Sequence, residues 1–357
     1  MPICDIVLNH MAGGSGGDYK TYTYPDHHKF EKSTTDFHPS TLGHNDELAP
    51  YHHNWNFGAP EHHPLDVAFL ARNMRSGFKQ WGSWLVTDVL YGGFRFDLSE
   101  GVEPWLIWEW MSYPAQRGRF AFMEYWDGAD GKQMQEWLNL TGKRAAIYDS
   151  NLRANYLKPM CNSNGAFDMR KLAPTNCFLG LEPEHTVVFI DNHDTWREGD
   201  TNKLGITSNK PLAYAYAFHS QGLPMVFYHD YYEKPYLSNS TAVAFGEPLT
   251  NKINRLIRIR KVAVAGNLEV LYSDTNLYIQ LRLGNWQKSA SILVLNDNSS
   301  ETLSHSVETP WANTKIVDLV SGTAEVTTEA NGSAYLGALP RGYRIYAPTN
   351  ILQQVEE

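Results

Sequence analysis

Short apolar strands that run into charged residues recur along this chain, and that recurrence restricts its fold more than any other feature. Four segments show it: "ICDIVLNH" (3–10), "GGFRFDL" (92–98), "RFAFMEYW" (119–126) and "HTVVFIDNHDT" (185–195). Each starts as a buried strand and closes on polar groups: Asp5–Asn9–His10, Arg95–Asp97, Glu124 and His193–Asp194. Between them lie stretches of helical periodicity. Phe69, Met74, Phe78, Trp81 and Leu85 mark one after residue 66, and others are expected near 103–113, 131–140, 150–160, 211–220 and 252–264. Strands alternating with helices are βα units, which build a parallel sheet. In a (β/α) barrel the C-terminal ends of the strands converge on one face. Packing alone does not account for acids repeated there, because unpaired carboxylates repel one another and lose solvation.

The pattern changes twice. Residues 12–64 are rich in Gly, His, Tyr, Pro and Asp, with almost no aliphatic runs. So long an irregular stretch is usually a functional excursion. Its histidines follow no zinc-site spacing and read as polar loop residues. After about residue 267 short strands replace helices ("LYIQLRL", "SASILVLND", "GYRIYAP"), separated by Asn/Ser/Gly turns. These suit an all-β sandwich. The expected organisation is therefore a partial (β/α) barrel from 1–11 and 65–265, an inserted domain over 12–64, and a C-terminal β-sandwich over 266–357.

Composition excludes some partners. A net charge of −9 argues against nucleic acid. No window approaches eighteen consecutive apolar residues, so no membrane span is expected. The start, "MPICDIVLNH", has neither the basic nor the long apolar region of a signal peptide, and reads as a strand already under way. Three cysteines are too few for a disulfide scaffold. Cys161 and Cys177 pair in an oxidising compartment or stand as free thiols; the residues leave both open. Aromatic residues make up 13% of the chain, including 11 Trp and 20 Tyr. Such an excess serves either a large core or the recognition of flat, hydroxyl-rich ligands.

Carboxylates on separate strand ends suit glycoside chemistry. Retaining hydrolysis needs two carboxyl groups about 5–5.5 Å apart, one to attack the anomeric carbon and one to protonate the leaving oxygen. Arg95 lies two residues from Asp97, so on a strand both point to the same side. The arginine is then placed to orient Asp97 and favour its charged form. Glu124 is followed by Tyr125 and Trp126, and an aromatic wall there would raise its pKa as a general acid requires. Asp194 is a third carboxylate, suited to sugar hydroxyls or to positive charge in the transition state.

These residues resemble the α-amylase family of retaining α-glucan hydrolases. "DIVLNH" (5–10), "GFRFDLSEG" (93–101), "FMEYWDG" (122–128) and "FIDNHD" (189–194) resemble its four short motifs, in order. "LPMVFYHDYY" (223–232) resembles its last barrel strand, "INRLIRIRK" (253–261) the helix before its C-terminal β-domain, and the 12–64 excursion its inserted domain. The resemblance implies that Asp97 is the nucleophile, Glu124 the acid/base and Asp194 the transition-state stabiliser. It implies that Arg95 supports the nucleophile and that His10, His193 and Trp126 contact the sugar. It also implies a structural Ca²⁺, with Asn9, Asp66 and Gly101 as ligands, and an α-glucan polysaccharide or oligosaccharide as substrate.

Two departures stand out. Many members carry lysine, then histidine, soon after the nucleophile, where this chain has Glu100 and Gly101. A negative charge at 100 is expected to disturb leaving-group contacts. The first motif belongs on the third barrel strand, so the family's first two strands are expected to be missing. The expected function is hydrolysis of α-1,4-glucosidic bonds in starch-like glucans by double displacement, outside the cell. A glucan-binding fragment without catalysis, and a transglycosylase or oligosaccharide-forming amylase, are the alternatives. Oligomeric state is not readable.

Overall fold

Phe94 and Phe96 are buried although they flank Arg95, because the strand that carries them is covered on both faces. The computed structural model describes residues 1–11, 36–38, 65–126, 130–173, 177–196, 205–232 and 249–357. The chain separates into two compact units, Met1–Tyr148 and Asp149–Glu357. Apart from 36–38, the expected inserted domain lies outside the described residues.

The first unit runs β1 (Ile3–Val7), β2 (His10–Met11), β3 (Phe37–His38), β4 (Leu65–Val67), α1 (Arg72–Thr87), β5 (Gly93–Asp97), α2 (Pro104–Ser112), β6 (Phe120–Met123), α3 (Gly131–Leu140) and β7 (Ala146–Tyr148). Strands β1, β5, β6 and β7 pair side by side, all parallel. The register sets Asp5 opposite Arg95, Val7 opposite Asp97 and Phe96 opposite Met123. The short strands β2 and β3 pair antiparallel with β4.

Helix α1 begins at Arg72, after β4, and buries Met74, Phe78 and Leu85. Trp110 of α2 meets Trp81 edge-on at 5.8 Å and caps Phe94 and Phe96 at 5.6 and 6.0 Å. Each such aromatic pair adds about 0.5–1.5 kcal/mol beyond burial. On the polar side Arg75 and Lys79 both hold Glu109. Helix α3 starts on a capping box. Asp130 Oδ1 accepts from the amides of Lys132 and Gln133, and Gln133 Oε1 accepts from the Asp130 amide. A cap of this kind contributes about 1 kcal/mol.

The second unit opens on α4 (Ser150–Leu152), a wide turn at Arg153–Leu157, and α5 (Lys158–Asn162). It continues through α6 (Phe178–Leu181), β8 (Thr186–Val188), α7 (Lys210–His219), β9 (Leu223–Pro224), α8 (Tyr228–Tyr231) and α9 (Thr250–Ala263). Strands β8 and β9 are parallel neighbours. Then follow β10 (Leu268–Ser273), β11 (Leu277–Arg282), β12 (Ser291–Asn296), β13 (Leu303–Glu308), β14 (Lys315–Asp318), β15 (Glu325–Thr327), β16 (Ser333–Ala338) and β17 (Gly342–Pro348), with α10 (Asn350–Glu356) at the end.

Six of these strands form one antiparallel sheet in the order β10-β11-β12-β17-β14-β15, and β13 pairs with β16 in a second. Strand β12 is buried along its whole length because the larger sheet is covered twice. Ile292 and Val294 face a core shared with Val307 and Leu336 of the small sheet. Leu293 and Leu295 face a core shared with Leu212, Leu256 and Ile259 of α7 and α9.

Three expectations change. The strand expected over 185–195 stops at Val188, because side chains of Asp191, Asn192 and Thr195 take over hydrogen bonding beyond it. The last barrel strand, expected within 223–232, has two residues and gives way to α8. Helices do not end at 267, since Ile351 and Val355 of α10 are buried in the helical core. All three cysteines are free, and burial pushes the Cys161 and Cys177 thiols up to about 12. Among the described residues no helix is long and apolar enough to cross a membrane.

Candidate active site

One guanidinium gathers three carboxylates at the strand ends of the first unit. Arg95 projects from β5 with its side chain only 7% exposed. Its Nη1 pairs with Asp5 at 2.9 Å and with Asp97, and its Nη2 pairs with Glu124 at 2.8 Å. The strand period of two puts Arg95 and Asp97 on one side. The parallel register does the rest, with Asp5 beside Arg95 on β1 and the Glu124 amide bonded to the Phe96 carbonyl at 2.9 Å. Burial works against the charge on Arg95, but Glu124, Asp5 and Asp97 outweigh it and raise its pKa. Tyr148, at the end of β7, adjoins this group, and burial pushes its hydroxyl up to about 12. The sequence reading did not single out Tyr148 as a site residue; its place at the end of the adjacent strand was the available signal.

Glu124 is the most enclosed of the three acids, and burial raises its pKa. Arg95, the Leu98 amide (3.1 Å) and the indole Nε1–H of Trp126 (2.5 Å) pull the other way. Asp97, hydrogen-bonded to Glu124, pushes it up. Trp126 therefore acts as a donor to the carboxylate, where the sequence suggested an apolar wall that raises its pKa. Leu98 sits in the left-handed region (φ 44°, ψ 50°), a strained conformation for a leucine. That kink lets its amide turn back to Glu124 directly after Asp97.

Glu100 turns inward. It is 1% exposed, and its Oε1 accepts from the Trp126 amide at 3.3 Å. The residue at the usual lysine position thus ties the turn after β5 to the segment after β6. Gly101 lies against the side chain of Asn9, and a Cβ there would collide with the Asn9 carboxamide oxygen. His10 and Asp66 face each other in the β2–β4 register, one residue beyond Asn9; their side chains lie outside the description. Amide and backbone carbonyl oxygens are donors that Ca²⁺ accepts, and the Asn9 carboxamide oxygen lies close against Gly101. Among the described residues no three His, Cys, Asp or Glu side chains group as metal ligands.

The remaining two residues belong to the second unit. His193 and Asp194 stand on the turn after β8, largely exposed, with His193 Nε2 3.2 Å from Asp194 Oδ2. The Asn192 side chain accepts from the amides of Asp194 and Thr195, which shapes the turn.

Comparison with known proteins bears on these motifs. The chain is 28% identical over 200 residues to an α-amylase from Bacillus licheniformis, covering 55% of this chain and 38% of that protein. It is 35% identical over 162 residues to an α-amylase from Geobacillus stearothermophilus, covering 44% and 29%. The chain is a relative of the α-amylases. It matches about a third of the length of these curated family members. Among solved structures, an α-amylase from Malbranchea cinnamomea superposes with a TM-score of 0.70 at 16% identity, over 98% of this chain and 74% of that one. An α-amylase from Geobacillus thermoleovorans, solved with acarbose, gives 0.65 at 18% identity, over 96% and 76%. At such identities the likeness concerns the fold, and it places the parallel strands and the antiparallel domain within the (β/α)-barrel α-amylase architecture. No protein-family model matches the chain.

Proposed function

We propose that this chain hydrolyses α-1,4-glucosidic bonds in starch-like glucans with retention of configuration. One observation carries the proposal: Asp97 and Glu124 meet on a single arginine with unequal exposure, and burial raises the pKa of the enclosed Glu124. That asymmetry divides nucleophile from acid. Two carboxyls sharing one guanidinium suit double displacement, whereas inversion needs about 6.5–9.5 Å to seat a water between them. Asp97 attacks the anomeric carbon and forms a glycosyl-enzyme ester. Glu124 protonates the departing oxygen, then removes a proton from the water that cleaves the ester. Asp194 stabilises positive charge at the sugar ring, while His10, His193 and Trp126 contact the sugar. The relative solved with acarbose supports an oligosaccharide ligand.

The reading includes a (β/α)8-type catalytic domain from 1–11 and 65–265, an inserted domain at 12–64, a β-sandwich at 266–357, and action outside the cell. It also includes a structural Ca²⁺ on Asn9, Asp66 and Gly101, supported by the close approach of the Asn9 carboxamide oxygen to Gly101. Reducing-sugar release from soluble starch tests the activity. Asp97→Asn should lower kcat by about 10⁴–10⁶-fold, as loss of a nucleophile does elsewhere. Unchanged turnover would reject the assignment, and glucan binding without release by the parent chain would favour a binding fragment. Chelation should lower Tm and added Ca²⁺ restore it, the ion contributing about 2–3 kcal/mol of stability at a hundredfold excess over Kd. A Tm indifferent to both would remove the ion.

A further inference from the structure

The turn that carries His193 and Asp194 is exposed, yet a buried ionic lattice grips it from beneath. Asp191 is fully buried and receives four partners. Its Oδ1 pairs with Arg153 Nη2 and accepts from the Thr195 hydroxyl at 3.0 Å. Its Oδ2 pairs with Lys210 at 2.8 Å and accepts from the Ile206 amide at 3.3 Å. Lys210 also pairs with Asp230, which accepts from the Tyr214 hydroxyl at 2.7 Å. Arg153 is fixed further by its Nε–H bond to the Ile190 carbonyl at 2.7 Å. Helix α7 and the wide turn at Arg153 thus meet on one carboxylate, and helix α8 is tied in through Lys210.

Thr195 is the link between this lattice and the turn. Its hydroxyl donates to Asp191 and accepts from the Asn192 amide at 2.9 Å, closing a ring around His193 and Asp194. Asn192 closes the same ring from the other side through the amides of Asp194 and Thr195. Thr195 is 4% exposed, so water does not substitute readily for either bond.

We infer that Thr195 is a positioning residue for Asp194, fixing the direction of that carboxylate by clamping the turn to Asp191. The inference rests on the proposed part of Asp194 in stabilising the transition state. A carboxylate on an exposed turn is effective only if its direction is set before the sugar arrives, since misplacement by about 1 Å can cost 10²-fold in rate. The hydroxyl does the work and the methyl does not, so serine should replace threonine and valine should not.

The test uses the full chain on soluble starch, with kcat expressed per folded molecule from circular dichroism. Thr195→Val should lower kcat about 10–100-fold with KM within about twofold. Thr195→Ser should recover most of the loss. Asp194→Asn is run beside them. If it is inactive while Thr195→Val turns over like the parent, the positioning proposal is overturned and the reading of Asp194 stands. If Thr195→Ser is as slow as Thr195→Val, the hydroxyl is not the link and the proposal falls. If Asp194→Asn is fully active, the reading beneath the proposal fails and the proposal with it. Should Thr195→Val not fold, Thr195→Ala assayed at low temperature against Thr195→Ser makes the same decision.

Discussion

Two clusters of charged side chains use the same ingredients to opposite ends. Around Arg95 one cation serves three carboxylates, and the group opens outward, with the Asp5 side chain 57% exposed and that of Asp97 24%. Around Asp191 two cations, Arg153 and Lys210, balance two carboxylates, Asp191 and Asp230, and none of the four side chains exceeds 11% exposure. A buried charge is tolerated when it is paired, and pairing removes its reactivity. A surplus of negative charge is tolerated only where water reaches it or where one acid keeps its proton. The first cluster has an exposed Asp5 and an enclosed Glu124 whose pKa burial raises. On the proposed function, the imbalance at Arg95 is the site of proton transfer and the neutral cluster at Asp191 is its scaffold.

The largest effect that breaks the comparison is on rate. Glu124→Gln should lower kcat by about 10²–10⁴-fold, the usual yield of general acid–base catalysis, with KM little changed. Equal rates for this variant and the parent would show that surplus charge at Arg95 has no catalytic meaning. Stability should sort the clusters the other way. Lys210→Met leaves Asp191 and Asp230 with an uncompensated buried charge and should cost about 3–5 kcal/mol in urea unfolding. Asp97→Asn relieves repulsion at an exposed rim and should change stability by less than about 1 kcal/mol, of either sign. If Asp97→Asn proves as costly as Lys210→Met, both clusters are structural.

Part of this arrangement was legible in the residues. The spacing of Arg95 and Asp97 gave their common side of the strand, and apolar runs closing on acids marked the strand ends. What was not legible depends on contacts between distant segments. The pairing of Asp5 with Arg95 needs the register of β1 against β5, which neither strand encodes alone. The direction of the Trp126 indole decides whether it raises or lowers the pKa of Glu124, and composition carries no directions. The left-handed Leu98 lacks the glycine that usually announces such a turn. Beyond 266 the change from helices to strands is plain, but packing ignores it, since Tyr278 and Leu293 share one core with Leu212 and Leu256.

Asp149 sharpens the contrast as a buried acid held by backbone amides rather than by charge. Its carboxyl accepts from the Leu152 and Leu179 amides at 2.8 and 2.7 Å, yet burial outweighs them and raises its pKa from 3.8 to about 6. A pKa raised on folding gives stability that is complete below the unfolded value and is lost as pH rises through the folded one. The window is thus from about 4 to about 6, and at about 1.4 kcal/mol per pH unit the loss is about 3 kcal/mol. Asp149→Asn should remove this dependence, so its deficit against the parent should shrink by that amount between pH 4 and 7. Urea midpoints across the range check it, and a constant deficit would show that Asp149 titrates normally.

The smallest effect probes the poise of Glu124 itself. Trp126 donates its indole N–H to the carboxylate, which favours the ionised form and restrains the rise that burial causes. Trp126→Phe keeps the ring and removes the donor. The Glu124 pKa should then rise further, since hydrogen bonding to the charged form is one of the three causes of such shifts. A general acid must hold its proton, so the alkaline limb of the kcat profile should move to higher pH by the same amount. A limb that moves toward acid would mean that the aromatic surface, rather than the N–H, sets the pKa, as the bare sequence suggested. An unmoved limb would assign the proton to a group other than Glu124, and the asymmetry between the two carboxyls on Arg95 would lose its functional meaning.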